Sequence, residues 1–178
     1  MELLNLADYE QRAAELLEPA ALAYYAGGAA DERTLADNRA AYDRWLLRPR
    51  VLVDVDEPST STTVLGHEVA LPLLVAPVAY QRVVHPDGEL GLARAAADAG
   101  SIYCLSTFAT TGWDEVATAG GRRWFQFYVP RDRALQEEIL SGVKAAGFEA
   151  VVLTVDIPVL GRREGSLRNE LVIPFELG

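Results

Sequence analysis

Trp124-Phe125-Gln126-Phe127-Tyr128 is followed, after a helical pattern from Asp132 to Ala146, by Ala150-Val151-Val152-Leu153-Thr154. Both runs are short and rich in apolar and β-branched or aromatic residues, as strands buried on both faces are. The helical pattern between them is long enough to carry the chain back and lay the second strand parallel to the first. Working outward, Ile102-Tyr103-Cys104-Leu105 and Leu73-Leu74-Val75-Ala76 continue the series upstream, at intervals of about 22 to 29 residues. Helical patterns at Gly88 to Ala99 and near Trp113 to Thr118 fill the gaps. Strands alternating with helices predict an α/β fold with a parallel sheet covered by helices.

The residues before this series have a different period. Leu6, Tyr9, Ala13, Leu16 and Leu17 recur at helical spacing, Pro19 restarts the chain, and Ala20 to Ala26 reads as a second helix ended by Gly27-Gly28. A third helix follows from about Asp31, so residues 1–60 read as a helical N-terminal segment. Ser61 to Leu65, a Gly66-His67 turn and Glu68 to Leu71 predict a small hairpin that opens the second segment, 61–178.

The chain has 178 residues, 26 acidic against 16 basic, for a net charge of −10. Its field repels phosphodiesters and anionic lipid, so neither nucleic acid nor a membrane is an expected partner. No window holds the ~20 apolar residues of a membrane span, and the acidic start MELLNLADYEQRAAELL is unlike a leader, so a cytoplasmic location is expected. Cys104 is the only cysteine, which excludes an internal disulfide and a multi-thiolate metal site. His67 and His85 lack the paired spacing of metal ligands, and no metal is expected.

Polar and small residues gather where the strands end: Ala76-Pro77-Val78-Ala79, Ser106-Thr107, Gln126 with Tyr128, and Thr154 with Asp156. Parallel barrels build their active sites on that face. No strand is followed by G-x-G-x-x-G and there is no Walker A sequence, so a dinucleotide fold and a phosphate loop are both set aside. Gln126 and Tyr128 alternate with Phe125 and Phe127 and therefore share a face. From pattern alone that face is either a cavity or a solvent-facing edge.

Several strings together carry a resemblance. They are Tyr24-Tyr25-Ala26-Gly27-Gly28-Ala29, Thr34-Leu35-Ala36-Asp37-Asn38, Arg48-Pro49-Arg50, Ala76-Pro77-Val78-Ala79 and His85-Pro86-Asp87-Gly88-Glu89, then Gln126-Phe127-Tyr128 and Leu153-Thr154-Val155-Asp156 through Gly161-Arg162-Arg163-Glu164. In this order, over nearly the whole chain, they resemble the FMN-dependent α-hydroxy acid oxidase and dehydrogenase family, whose members act on glycolate, lactate, mandelate or 4-hydroxymandelate. The resemblance implies a (β/α)8 TIM barrel about twice this length, with residues 1–178 as the N-terminal half of one barrel domain. It also implies a homo-oligomer, a tetramer in relatives.

What the resemblance implies for the site is specific. FMN lies against Ala76, Pro77, Val78 and Ala79, with the peptide after Pro77 at its reactive centre. Ser106, Gln126 and Thr154 hydrogen-bond its ring, as short hydroxyl and amide groups suit a flat body with a polar edge. Tyr24 and Arg163 bind the substrate carboxylate, and Tyr128 the substrate hydroxyl or developing carbonyl. Phe108 stands where glycolate oxidases carry tryptophan, which leaves room for an aromatic substrate. Val78 and Tyr80 also differ from the commonest relatives. Alanine at the Ala79 position accompanies oxidases, which favours O2, reduced to H2O2, as the electron acceptor.

The family's catalytic histidine, main carboxylate-binding arginine, flavin-facing lysine and phosphate site fall outside these residues. A half-barrel leaves strand edges unpaired, so the C-terminal half is expected to accompany this chain as a second polypeptide. Without the family, Tyr24 reads as packing, Arg162-Arg163 as a solvated loop pair and Cys104 as an inert buried thiol. Two other readings stand beside the oxidase. One is a flavin barrel of the isopentenyl-diphosphate isomerase kind, which needs a diphosphate surface that this acidic half lacks. The other is a catalytically dead scaffold.

Overall fold

The computed structural model describes residues 2–172. They form two compact units, one of residues 2–54 with 159–172, the other of residues 55–158.

The first unit opens with three helices, α1 (Leu6–Leu16), α2 (Pro19–Ala26) and α3 (Arg33–Ala40), the last running into a 3-10 turn at Ala41–Arg44. Asn5 caps α1 by accepting from the Asp8 N–H at 3.1 Å, while the Asp8 carboxylate accepts from the Asn5 N–H at 3.3 Å. Such a reciprocal cap satisfies two helix-end donors. Pro19 starts α2 where its missing N–H costs nothing. Gly27 ends α2 with φ −82°, so handedness does not require glycine there. The reason is space, since a Cβ at Gly27 would lie 2.5 Å from the Ala23 carbonyl oxygen.

The helical reading of residues 1–60 is too long. From Trp45 to Ser61 there is neither helix nor strand. Pro49 and Pro58 remove donors, and Val51, Val53 and Val55 are β-branched, so the segment does not continue the helix; it bends instead, with Leu52 at φ 58°.

In the second unit, β1 (Thr62–Val64) and β2 (His67–Val69) form the antiparallel hairpin. Leu65 and Gly66 make its two-residue turn, with φ of 49° and 82°, the left-handed pair that suits strand twist. His67 therefore sits beside the turn, opposite Val64, rather than at the tip. Its Nδ1 lies 2.6 Å from Arg122 Nη1, which also donates to Glu149 at 3.0 Å.

Helices α4 (Gly88–Asp98), α5 (Trp113–Ala117) and α6 (Arg133–Ala145) alternate with strands β3 (Ile102–Leu105), β4 (Arg122–Phe127) and β5 (Ala150–Leu153). The strands form a parallel sheet in the order β3, β4, β5, with Phe125 opposite Val151 and Gln126 opposite Val152. Leu105, Phe125 and Phe127 pack against Ala93 and Ala96 of α4, Val116 of α5 and Val143 of α6. Since side chains alternate along a strand, Gln126 points away from this helix-covered core.

The expected first strand, Leu73 to Ala76, is reduced to a single parallel bridge between Val75 and Tyr103. Val75 donates to the Ile102 carbonyl at 2.9 Å and accepts from Cys104 at 3.0 Å. Pro72 and Pro77 flank the segment and deprive the ladder of two donors.

The chain returns to the first unit after Pro158 and ends its described part with α7 (Glu164–Arg168). Ala30 donates to the Arg162 carbonyl at 3.0 Å, which fixes this return segment on the loop after α2.

Candidate active site at the strand ends

Ser106 follows β3, Gln126 lies near the end of β4, and Thr154 follows β5. In a parallel register these three positions come side by side. Gln126 donates from Nε2 to the Thr154 hydroxyl at 2.8 Å, and its Oε1 accepts from Ser106 Oγ at 3.4 Å and from the Thr107 N–H at 3.1 Å. Thr107 prolongs the pairing of β3 with β4, donating to the Gln126 carbonyl at 2.6 Å and accepting from the Tyr128 N–H at 3.1 Å. The polar row is thus a fixed network and not a solvated edge. Ser106 and Gln126 are buried, while Thr154 and Tyr128 are half-buried.

The aromatic residues of these ends form a series. Phe108 lies 5.4 Å from the Tyr128 ring centroid and 6.1 Å from that of Tyr80, within the range of favourable aromatic contact. Phe108 is 41% exposed, so one face of this aromatic wall is open.

Ala76, Pro77 and Val78 are exposed, and Ala79 is half-buried. The loop turns at Tyr80, whose φ of 60° is rare for a bulky residue. Its backbone N–H donates to the Phe108 carbonyl at 3.0 Å. Gln81 then donates from Nε2 to the Val78 carbonyl at 3.2 Å and to Tyr103 Oη at 3.1 Å.

Beneath this loop lies Glu89, fully buried in the first turn of α4. Its carboxylate accepts from the Gln81 N–H at 3.1 Å, the Thr110 N–H at 2.8 Å and the hydroxyls of Thr110 and Thr111, each at 2.8 Å. Buried charge is tolerated only where donors are so arranged. Burial first, and the Glu89 charge second, raise the Tyr103 phenol above the ordinary tyrosine value. Burial pushes the Cys104 thiol up to about 11, which makes it the inert thiol expected of an apolar strand.

In the first unit, Tyr24 and Arg163 are brought together. Arg163 Nη2 donates to the carbonyls of Tyr24 and, at 2.7 Å, Gly27, and the guanidinium lies 5.1 Å from the Tyr24 ring centroid. Arg163 therefore satisfies carbonyls at the C-terminal end of α2, where a cation is favoured. It is half-buried, not a solvated loop residue.

Sequence reading missed Gln81, Glu89 and Thr110. One signal pointed to Glu89: it shares a helix face with Ala93 and Ala96, so an acid stands on an apolar stripe.

The donor set suits a flavin ring. Within the row, the second amide proton of Gln126 and the hydroxyl proton of Thr154 remain to donate to ring carbonyls, and Ser106 Oγ can accept from a ring N–H. A cavity of about 170 Å³ on the helix side of the sheet is lined by Leu105, Phe125, Trp113, Leu135 and Ile139 and reaches Ser106 and Thr107 at the strand ends. It is small for such a ligand. Among the described residues no three metal-ligating side chains cluster, and no helix is long and apolar enough to cross a membrane.

Known proteins resemble this chain in sequence and fold. Glycolate oxidase 1 of Zea mays is 48% identical over 177 residues, which are 99% of this chain and 48% of the relative. An L-lactate oxidase of a Nostoc species is 48% identical over 96% of this chain, again 48% of the relative. A crystal structure of mandelate oxidase with 3,3-difluoro-2-hydroxy-3-phenylpropionic acid superposes with a TM-score of 0.90 at 43% identity, covering 95% of this chain and 51% of that one. The chain thus spans about half the length of the curated relatives it matches. Its α/β order is that of the N-terminal part of their (β/α)8 barrel. The family described as FMN-dependent dehydrogenase matches residues 13–178, and the chain belongs to that family.

Proposed function

We propose that this chain is the flavin-facing half of an FMN-dependent (S)-2-hydroxy acid oxidase that acts on mandelate-type acids. The observation that carries this reading is the row of Ser106, Gln126 and Thr154, a network at adjacent strand ends with donors still to spend. When bound there, FMN supplies two-electron chemistry, taking electrons from the substrate α-carbon and passing them to O2, so that a 2-hydroxy acid and O2 become a 2-oxo acid and H2O2.

The residues of this chain position rather than react. Ser106, Gln126 and Thr154 hold the polar edge of the ring, and the backbone from Ala76 to Ala79 lies against the ring itself. Tyr24 and Arg163 hold the substrate carboxylate, Arg163 through the guanidinium edge not spent on α2. The Tyr128 hydroxyl donates to the substrate oxygen as it becomes a carbonyl, an interaction strongest when charge develops. Phe108, backed by Tyr80 and Tyr128, packs on the substrate ring. The general base, a histidine, belongs to the half of the barrel that relatives carry beyond the matched region.

The mandelate preference is supported by the open Phe108 face and by the likeness to mandelate oxidase structures. Burying a phenyl ring is worth about 2 kcal/mol, or roughly thirty-fold in kcat/KM. Oxygen uptake by the complete barrel protein with glycolate, L-lactate and (S)-mandelate tests the proposal. Mandelate is expected to lead. Glycolate leading rejects the pocket argument, and bound flavin that is reduced by substrate but ignores O2 rejects the oxidase.

A further inference from the structure

The loop that follows Val75 is pinned at four backbone groups. The Val78 carbonyl is held by the Gln81 side chain, the Tyr80 N–H by the Phe108 carbonyl, the Gln81 N–H by Glu89, and the Arg82 N–H by Thr110 Oγ1 at 3.1 Å. Thr110 itself hangs on Glu89 through both its N–H and its hydroxyl. One buried carboxylate therefore ties the loop at 78–82 to the loop at 108–111.

Gln81 is the working end of this clamp. It is buried, and its amide nitrogen donates to the Val78 carbonyl and to Tyr103 Oη. A trans peptide is planar, with its C=O and N–H pointing in opposite directions. Anchoring the Val78 carbonyl on the inner side therefore fixes the outward direction of the Ala79 N–H. The left-handed turn at Tyr80 is strained and persists only where surrounding contacts over-determine it. Here Gln81 on one side and the Phe108 carbonyl on the other supply those contacts.

We propose that Gln81, seated by Glu89, is a positioning residue that orients the Val78–Ala79 peptide toward the flavin. It acts through the backbone without touching the cofactor. This rests on the FMN reading for its purpose, though not for its geometry. The same anchor holds the Phe108 carbonyl through Tyr80, so cofactor seat and aromatic wall are set by one buried group.

The test compares Gln81→Met, which keeps length and loses the donor, with Tyr103→Phe, which disturbs the same buried cluster and leaves the bond to Val78. Amide order parameters and FMN affinity by fluorescence quenching are read together on the complete barrel protein. In Gln81→Met the Ala79 order parameter is expected to fall from about 0.85 to below about 0.6, with FMN affinity about ten-fold weaker and strand amides at Phe125 and Val151 unchanged. Tyr103→Phe is expected to leave Ala79 rigid and FMN affinity within about two-fold.

An unchanged Ala79 in Gln81→Met overturns the proposal, as does an equal effect of Tyr103→Phe, which marks general loosening. If Gln81→Met does not fold, Gln81→Asn withdraws the amide by about one bond length, ~1.5 Å, and carries the same expectations. Wild-type protein that binds no FMN defeats the functional reading, while the order parameters still decide the clamp.

Discussion

Gln126 Nε2 donates to the Thr154 hydroxyl at 2.8 Å across the ends of two parallel strands, although 28 residues separate them in sequence. Gln126 is the centre of the row, because its carbonyl oxygen also accepts from Ser106 and Thr107. Gln126→Leu leaves the part-buried Thr107 N–H without its acceptor, a loss of about 1 kcal/mol. It is also expected to weaken FMN at least ten-fold. Urea unfolding and flavin fluorescence titration measure the two effects separately, and unchanged FMN affinity in a folded variant removes Gln126 from the cofactor site.

Tyr128→Phe keeps the ring contact with Phe108 and removes only the hydroxyl. The expected result is a fall in kcat of ten- to a hundred-fold with KM for mandelate changed less than about three-fold, because the lost hydrogen bond matters most as the carbonyl forms. Steady-state kinetics at saturating O2 check this. A rise in KM alone assigns Tyr128 to ground-state binding.

Arg163→Leu has two consequences, because the guanidinium serves both the α2 carbonyls and, under the proposed function, the substrate. Stability is expected to drop by about 1 kcal/mol from the lost helix-end contacts. KM for carboxylate substrates is expected to rise about ten-fold or more. A neutral amide analogue of the substrate separates the effects, since its KM should not respond to the charge. A variant that loses stability and keeps its KM is a helix-capping variant only.

Phe108→Trp refills the open side of the aromatic wall. The ratio of kcat/KM for mandelate over glycolate is expected to fall at least five-fold. A ratio that holds steady places the substrate ring elsewhere.

Cys104 predicts an alkaline effect with a definite sign. Its folded thiol ionises only near pH 11 against an ordinary value of 9.0, so the folded state holds the proton more tightly than the unfolded state. The contribution to stability is complete below pH 9 and is lost as pH rises from there through 11. It amounts to about 3 kcal/mol at 1.36 kcal/mol for each pH unit. Cys104→Ala should flatten that part of the stability curve in chemical denaturation at pH 8 and pH 10.5. Native protein should also resist iodoacetamide at pH 8 and react once unfolded.

The strands with the most continuous apolar runs were legible. Ile102 to Leu105 and Ala150 to Leu153 fall where their runs predict, because an unbroken apolar run leaves a signature that neighbouring residues reinforce, even though only Ile102 to Leu105 is buried throughout while Val151 and Leu153 stay about half exposed. Leu73 to Ala76 has the same signature, yet its flanking prolines cut pairing to one bridge. Thr154 and Ser106 were legible as strand-end residues. Their hydrogen bonds through Gln126 were not, since register is a property of two strands at once. Glu89 was the hardest to read. Its donors lie 8 to 22 residues away in polar loops, and an acid in a helix's first turn ordinarily needs no explanation beyond the dipole.

β4 places Phe125 and Phe127 in the core and Gln126 on the opposite side. A single-residue insertion or deletion inside the strand would exchange these roles at once, driving an amide among the helices and a phenyl ring among the hydroxyls. Length changes within β4 are therefore admissible only in steps of two, and odd steps must be absorbed in the Gly120-Gly121 turn before it or the Val129-Pro130 segment after it. The polar face thus has a built-in parity check: a shift that spoils the row of Ser106, Gln126 and Thr154 spoils the core as well, so such a chain loses its fold together with the row.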